Sequence, residues 1–296
     1  MEGISKAPVH RGAAQKVLTI LEMIKFEHTL FALPFALIAT VVAARGMPRP
    51  VTLLWILVAM VGARSAAMAF NRLADLRYDR LNPRTSGRAL VTGAVSTAEA
   101  WAFTFISVAI FVFAAYSLNR LAFALSPVAL LVILGYSYTK RFTAWSHVVL
   151  GVALAIAPSG AWIAVTGRLD LAPVILSAAV ALWTAGFDII YSLQDVDFDR
   201  GTGLRSLPQT FGVPAALNLS RAMHGTMIVA LWLFGILAGI GVIYCVGVVV
   251  VAAFLVYEHS LVSARDLSRV NMAFFTVNGF VSVGLLLFVV LDVMLR

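Results

Sequence analysis

The sequence is short of charge and nearly free of cysteine. Charged residues make up 12% of its 296 residues, about half the share of an ordinary soluble domain. Hydrophobic residues make up 61%, which excludes a soluble globular protein, because no folded surface could hide that much apolar chain from water. The composition also excludes a disordered chain. Because Cys245 is the only cysteine, an intrachain disulfide scaffold is excluded as well.

Long apolar runs are the main feature that is present. A bilayer core of about 30 Å needs roughly 20 apolar residues as a helix. The run 224–257 is too long for one span, and its glycines at Gly239 and Gly241 predict a break into two helices. We therefore predict an all-α polytopic membrane protein with nine transmembrane helices. The apolar runs lie at 24–44, 51–70, 99–118, 121–138, 146–166, 172–192, 224–257 and 271–295.

The basic residues predict the topology. The net charge of +8 is spread between the apolar runs, so it indicates membrane orientation and not nucleic-acid binding. With the N-terminus in the cytoplasm, 15 Lys and Arg lie in cytoplasmic segments and 5 on the other side. This predicts a single membrane-embedded domain over residues 1–296, with a polar cytoplasmic segment at 1–16 and the C-terminus on the opposite side of the membrane.

Acidic residues are scarce, and six of the 14 fall in two short stretches. In the first, Asn71, Asp75 and Asp79 are spaced i, i+4, i+8, which puts them within about 80° on one helix face. The second stretch is interpreted as one continuous helix. It puts Asp197 on the opposite face and groups four side chains within about 60°: Asp188, Tyr191, Asp195 and Asp199.

The two stretches predict a shared cation site. Both contain D-x-x-x-D-R, 120 residues apart, which indicates a weak internal repeat of four-helix units that face each other across a central cavity. One such motif alone is usually a solvated helix end or an ion pair with arginine. Two such motifs on the same side of a membrane bundle need a positively charged partner, since carboxylates at membrane depth are costly. Oxygen ligands suit Mg²⁺, which is usually shared with a substrate diphosphate.

These residues resemble a known family. NRLADLRYD resembles the N-x-x-x-D-x-x-x-D signature of the UbiA superfamily of intramembrane polyprenyltransferases, and YSLQDVDFD resembles its second signature. The resemblance implies transfer of a prenyl group from a polyprenyl diphosphate to an acceptor, usually an aromatic ring, with Mg²⁺. Asn71, Asp75, Asp79, Asp195 and Asp199 would then form the catalytic Mg²⁺–diphosphate site.

The resemblance is greatest to the bacterial 4-hydroxybenzoate polyprenyltransferase group, although Arg72 stands where many members have Asp. It implies a bacterial inner-membrane enzyme of ubiquinone or menaquinone biosynthesis whose active site faces the cytoplasm. Asp188 and Tyr191 are expected to face the same cavity. Further candidates for substrate binding are Lys140 and Arg141 for the diphosphate, Arg72 with Arg77 for an acceptor carboxylate, and the ring of Tyr138 or Tyr136 for the allyl cation. Arg80, Arg84, Arg88 and Arg205 are candidates to cap the loops over the site.

Two alternatives stay open at this point. A family member could use another acceptor, such as a naphthoate, haem or a lipid. In a different class, a secondary transporter also combines internal repeats with intramembrane Asp. Transporter sites lie near the membrane midplane on broken helices, whereas these carboxylates lie at helix ends beside basic loops.

Overall fold

The computed structural model describes residues 19, 20, 22, 23 and 29–296. Regular structure in that part of the chain is helical, apart from one isolated bridge between Ser263 and Asp266. The predicted polar segment 1–16 and the first residues of the run 24–44 lie outside the described residues. The all-α prediction is therefore confirmed over the described part.

Nine long helices and two short ones follow one another in the described chain. Eight are long and apolar enough to cross a membrane, and the first is shorter. This agrees with the nine predicted spans. The helices are α1 Thr29–Ala44, α2 Pro50–Asp79, α3 Thr97–Leu118, α4 Arg120–Gly135, α5 Ser146–Thr166, α6 Leu171–Ser192, α7 Val196–Thr202, α8 Leu207–Phe211, α9 Val213–Ala238, α10 Val242–Leu261 and α11 Asn278–Met294.

The predicted glycine break divides α9 from α10. Gly239 ends α9 in the left-handed region, at φ 63°, where glycine pays no steric cost. The first N–H groups of α10 have no partner within the helix, and a carboxylate distant in the chain binds them. Asp292 accepts from the backbone N–H groups of Gly241, Ile243 and Tyr244 at 2.7, 3.0 and 3.3 Å. A buried helix end needs such a partner, and Asp292, at 3% exposure, supplies it from the end of α11.

Two predicted boundaries were wrong. Helix α9 begins at Val213, eleven residues before the predicted run at 224, because residues 213–223 are amphipathic and bury Leu217 and Ser220 while Arg221 stays exposed. The second acidic stretch is not one continuous helix. Helix α6 ends at Ser192, a 3₁₀ turn covers Leu193–Asp195, and α7 follows.

The long helices surround a central cavity at one end of the bundle. Neighbours pack in the order α2, α3, α4, α5, α6, α9, α10, α11, α1, and α1 also packs against α5. The C-terminal ends of α2 and α6, which carry the two acidic stretches, both border the cavity. A 3₁₀ turn at Tyr136–Arg141 after α4 and a π-helical turn at Met272–Val277 before α11 contribute further wall residues.

The positive-inside pattern makes a testable prediction about orientation. In a Cys245→Ser background, single cysteines at Ser86 in the α2–α3 loop and at Thr210 in the short helix α8, both exposed, should react with a membrane-impermeant thiol reagent only after the cells are opened. Met47→Cys, 73% exposed in the α1–α2 loop, is the matched control and should react in spheroplasts without lysis. Labelling of Ser86→Cys or Thr210→Cys in intact spheroplasts would contradict a cytoplasmic cavity.

Candidate active site

The central cavity has a volume of about 1120 Å³ and collects the residues that the sequence singled out. Ten of the predicted metal- and substrate-binding residues line it together with Tyr136, whereas Tyr138 and Arg77 do not. The ten are Asn71, Arg72, Asp75, Asp79, Lys140, Arg141, Asp188, Tyr191, Asp195 and Asp199. The two acidic stretches, far apart in the chain, therefore share one cavity.

The first acidic motif keeps its predicted helical register. Asn71 and Asp75 lie one turn apart on α2, and the Asn71 amide donates to Asp75 at 3.0 Å. Asp79, the last residue of α2, is buried and is held by the Arg88 guanidinium, which lies 2.6 Å from both carboxylate oxygens. The motif thus presents oxygen atoms to the cavity, while Arg88 from the following loop balances the charge of Asp79.

The second motif is tied to the same loop. Arg84 donates to both oxygens of Asp195, at 3.0 and 2.5 Å, and to the Tyr191 hydroxyl at 3.2 Å. Asn82 adds a bond of 3.2 Å to Asp195. Burial lowers the pKa of the Arg84 guanidinium, but the hydrogen bonds and charge of Asp195 outweigh this and raise its pKa above the usual value. Arg84 therefore stays charged and holds Asp195 in position.

Lys140 supplies a positive charge near the middle of the acidic group. Its ammonium group interacts electrostatically with Asp188, Asp199, Asp195 and Asp75, which belong to both acidic stretches. Its backbone carbonyl accepts the N–H of Arg205 at 2.8 Å, so the turn that carries Lys140 is attached to the loop that follows Asp199. The lysine lies where a diphosphate bound between the two motifs would meet a point charge.

Arg141 and Tyr138 form a separate arrangement at the rim. The guanidinium of Arg141 lies over the ring of Tyr138, 4.6 Å from its centre, and donates to the carbonyl of Ala74 at 2.6 Å. Tyr138 is 39% exposed and packs against Phe70, outside the cavity lining. Tyr136 lines the cavity instead, because the 3₁₀ turn directs alternate tyrosines to different sides.

The remaining arginines differ in whether they line the cavity. Arg84 and Arg88 reach the cavity from the α2–α3 loop. Arg72 is buried against the Met23 carbonyl, at 3.5 Å, while still lining the cavity. Arg77 near the end of α2 and the predicted loop arginines Arg80 and Arg205 are exposed and absent from the lining.

A second, apolar cavity adjoins the first. It has a volume of about 490 Å³ and is lined mainly by α2, α3, α4 and α5, with many alanines. Arg64, Met68, Tyr136, Leu150 and Leu154 line both cavities. A polar chamber thus shares a wall with an apolar one, and a partly buried arginine lies at the boundary.

One wall of the cavity is aromatic, which the sequence did not predict. Phe274 packs on Tyr191 with ring centres 4.2 Å apart, and both line the cavity. Phe274 belongs to the π-helical turn, whose carbonyls at Ala273 and Phe274 accept the Asn278 amide at 3.1 and 3.2 Å. π-Helical turns often occur at functional sites, but nothing in the apolar pattern distinguishes one from an α-helix.

Buried polar atoms at the cavity were missed as well. The Oγ of Ser146 and the Oγ1 of Thr184 line the cavity and make no hydrogen bond within the described chain. His147 bonds to Asp188 from behind. A histidine at the first turn of an apolar helix was a usable signal for His147, whereas Ser and Thr in membrane helices usually bond to their own backbone.

The residues present fit a magnesium ion. The donors are one amide and four carboxylates, and the buried Oδ2 of Asp199 has no hydrogen-bond partner in the described part of the chain. No three His, Cys, Asp or Glu side chains among the described residues stand close enough to form a complete metal site. Mg²⁺ is typically bound by one or two carboxylates together with substrate phosphates and water, so an incomplete protein ligand set is what a shared site requires.

These features define a polytopic membrane protein with an acidic cavity at one end of its helices. The UbiA prenyltransferase family matches residues 32–283. The chain belongs to the UbiA prenyltransferase family, and it is therefore an integral membrane protein of an enzyme family. This membership favours the enzyme over the transporter alternative.

Named relatives and solved structures agree with this family. A 4-hydroxybenzoate octaprenyltransferase of Xanthomonas euvesicatoria is 34% identical over 83% of this chain and 81% of its own. One of Nitrosococcus oceani is 31% identical over 81% and 84%. The apo structure of a UbiA homolog from Aeropyrum pernix K1 has a TM-score of 0.82 at 36% identity, covering 90% of this chain and 98% of its own.

A more distant structure supports the fold alone. It is a UbiA homolog from Archaeoglobus fulgidus, bound to GPP and Mg²⁺, with a TM-score of 0.73 at 22% identity; the match covers 93% of this chain and 99% of the homolog.

The cavity geometry predicts which acidic residues matter. Asp75→Ala, Asp79→Ala, Asp195→Ala and Asp199→Ala should each lower prenyl transfer by about 100-fold or more, because each removes a charged ligand from a site shielded from bulk water. Asp197→Ala is the matched control, since its side chain is 99% exposed, and it should keep most activity. Initial rates in membranes with equal amounts of each variant test this, and equal losses at Asp195 and Asp197 would contradict the assignment.

Proposed function

We propose that this protein transfers a polyprenyl group from a polyprenyl diphosphate to an aromatic acid of the 4-hydroxybenzoate type, in ubiquinone or menaquinone biosynthesis. One observation carries the proposal: the two acidic motifs and Lys140 line one chamber that shares a wall with an apolar cavity. A substrate with a diphosphate head and a prenyl tail matches both chambers. The naming of the relatives supports the aromatic acceptor.

The diphosphate head would bind between α2 and the α6–α7 turn. Mg²⁺ would be held by Asn71, Asp75, Asp79, Asp195 and Asp199, and when bound it neutralises the diphosphate charge and stabilises the leaving group. Lys140 donates to the diphosphate oxygens as a point charge, and Arg141 lies beside it at the rim. Arg84 and Arg88 keep the two carboxylates that they bind in a single orientation.

The prenyl tail would leave the head chamber through the wall that the two cavities share. Its first carbon then lies near Tyr136, whose ring can stabilise the positive charge that develops as the C–O bond breaks. The rest of the tail fills the apolar cavity, where contacts with alanine and leucine side chains replace contacts with lipid. The aromatic wall of Phe274 and Tyr191 covers the other side and excludes water from the reacting carbon.

The acceptor would bind between the diphosphate and the boundary of the two chambers. A guanidinium at this boundary is suited to the carboxylate of an aromatic acid, because arginine binds carboxylates through two parallel hydrogen bonds. We assign this role to Arg64, which lines both chambers. Asp188 accepts a hydrogen bond from the acceptor hydroxyl, which pushes electron density into the ring and favours attack by the ring carbon.

The proposed orientation places this chamber on the cytoplasmic side of a bacterial inner membrane. The loops beside it contain most of the basic residues, and a soluble aromatic acid can reach it only from the aqueous side. An acceptor of another kind, such as a naphthoate, haem or a lipid, is the alternative within the family.

An acceptor panel tests the function directly. Membranes with the protein, a labelled polyprenyl diphosphate and Mg²⁺ should yield labelled product with 4-hydroxybenzoate, and less with a naphthoate or benzoate. Excess chelator should abolish the product, and added Mg²⁺ should restore it. Product with a naphthoate, haem or a lipid but not with 4-hydroxybenzoate would refute the acceptor assignment, and full activity in chelator would refute the Mg²⁺ requirement.

Arg64→Met tests the acceptor site. Loss of a charge-assisted hydrogen bond to the carboxylate should raise the acceptor KM by about 10- to 100-fold. The KM for the prenyl diphosphate should change by less than about threefold, since the head binds elsewhere. Arg77→Met, an exposed arginine on the same helix outside the cavity, is the matched control. A rise in the diphosphate KM alone would contradict this role for Arg64.

A further inference from the structure

His147 is a fully buried histidine directly behind the cavity wall. It lies in the first turn of α5, has 0% exposure, and is absent from the cavity lining. Its Nδ1 lies 2.6 Å from Oδ2 of Asp188. Its Nε2 lies 3.4 Å from the backbone nitrogen of Leu207. Both ring nitrogens therefore have a partner, and one of those partners faces the substrates.

The two partners determine where the imidazole carries its proton. The Leu207 backbone N–H can only donate, so the Nε2 of His147 accepts and is unprotonated. The proton is then on Nδ1, which donates to Asp188. A doubly protonated ring would direct a second N–H against the N–H of Leu207. The geometry selects a neutral imidazole that donates one hydrogen bond to an ionised carboxylate.

This hydrogen bond restricts the orientation of Asp188. With Oδ2 engaged by His147, the carboxylate cannot turn freely about its side-chain torsions, and Asp188 itself lines the cavity. Lys140 interacts with the same carboxylate from the cavity side. The carboxylate is thus held between a neutral donor behind the wall and a cation in front of it.

His147 also joins Asp188 to the loop after the second motif. Leu207 is the first residue of α8 and follows the loop that begins after α7. The neighbouring Arg205 donates its backbone N–H to Lys140 at 2.8 Å. The position of His147 therefore depends on α5, on Asp188 of α6 and on Leu207 after this loop. A displacement of any of these elements would change the contact with Asp188.

We propose that His147 is a positioning residue that orients Asp188 toward the aromatic acceptor. This inference rests on the proposed function, in which Asp188 accepts the hydrogen bond of the acceptor hydroxyl. The side chain of His147 does not touch the substrates. It acts by keeping the carboxylate directed at the acceptor, so its loss lowers the rate of transfer and leaves binding of the prenyl diphosphate intact.

Three substitutions separate this role from simple packing. His147→Leu fills the space without a hydrogen bond and should lower kcat by about 10- to 100-fold, as expected for loss of a group that orients a functional residue. His147→Gln can donate to Asp188 and accept from Leu207, and should stay within about threefold of the unsubstituted protein. His147→Asn can place its amide nitrogen near the position of Nδ1 and keep the bond to Asp188 without reaching Leu207, so its kcat should lie between those of the other two variants. His147→Met, which also offers no N–H group, takes the place of His147→Leu if that variant does not accumulate in membranes.

Two measurements are decisive: whether each variant changes kcat or KM, and whether the loss of activity depends on Asp188. The KM for the prenyl diphosphate should change by less than about threefold in all three variants. In an Asp188→Asn background, His147→Leu should cause little additional loss, because the residue acts through that carboxylate. Equal activity of the Leu and Gln variants, or a full additional loss in the Asp188→Asn background, would overturn the proposal.

The same assays distinguish a failure of the role of His147 from a failure of the proposed function. If the unsubstituted protein transfers prenyl groups and His147→Leu is equally active, only the role of His147 is wrong. If the unsubstituted protein forms no prenylated product with any aromatic acid, the proposed function fails first.

Discussion

The balance of charge in a cavity shielded by apolar helices is the constraint on which the rest of the structure depends. Ionised carboxylates in such a place are costly unless each has a nearby partner. Asp79 and Asp195 are held by Arg88 and Arg84, while Asp188 is held by His147. Because the two arginines belong to one loop, between Asp79 and Thr97, the α2–α3 loop joins both acidic motifs. These pairs restrain the carboxylates of both motifs in one arrangement around the cavity.

A second network of buried polar side chains, centred on Asn278, supports the aromatic wall. Asn278 is fully buried; it donates to Glu258 at 2.9 Å and to the carbonyls of the π-helical turn, and accepts the indole N–H of Trp183 at 2.6 Å. These bonds connect α6, α10 and α11 at the height where Phe274 meets Tyr191. Buried polar groups inside a membrane bundle are costly without partners, so these bonds of Asn278 favour a single arrangement of the aromatic wall.

Much of the architecture could be predicted because it depends on local composition. A helix that crosses a bilayer needs a continuous apolar run, and the sequence contains nine such runs once the break at Gly239 is recognised. The helical course of the first motif was also predicted correctly, since Asn71, Asp75 and Asp79 lie on a regular helix whose period is known. The continuous helix predicted for the second motif was wrong, because the turn at Leu193–Asp195 interrupts it. The carboxylates of the second motif still line the cavity because of the tertiary fold.

The sequence by itself determined the membrane-spanning class, the two acidic motifs and the family resemblance, since each depends on residue type and spacing along the chain. Only the tertiary structure decided which arginines reach the carboxylates, that Tyr136 and not Tyr138 lines the cavity, and that His147 lies behind Asp188. These contacts join residues up to 113 positions apart, as between Asn82 and Asp195, and no local period encodes them. They form because packing of the helices brings distant polar groups within hydrogen-bonding distance in a partly buried place, where an unpaired polar group would be costly.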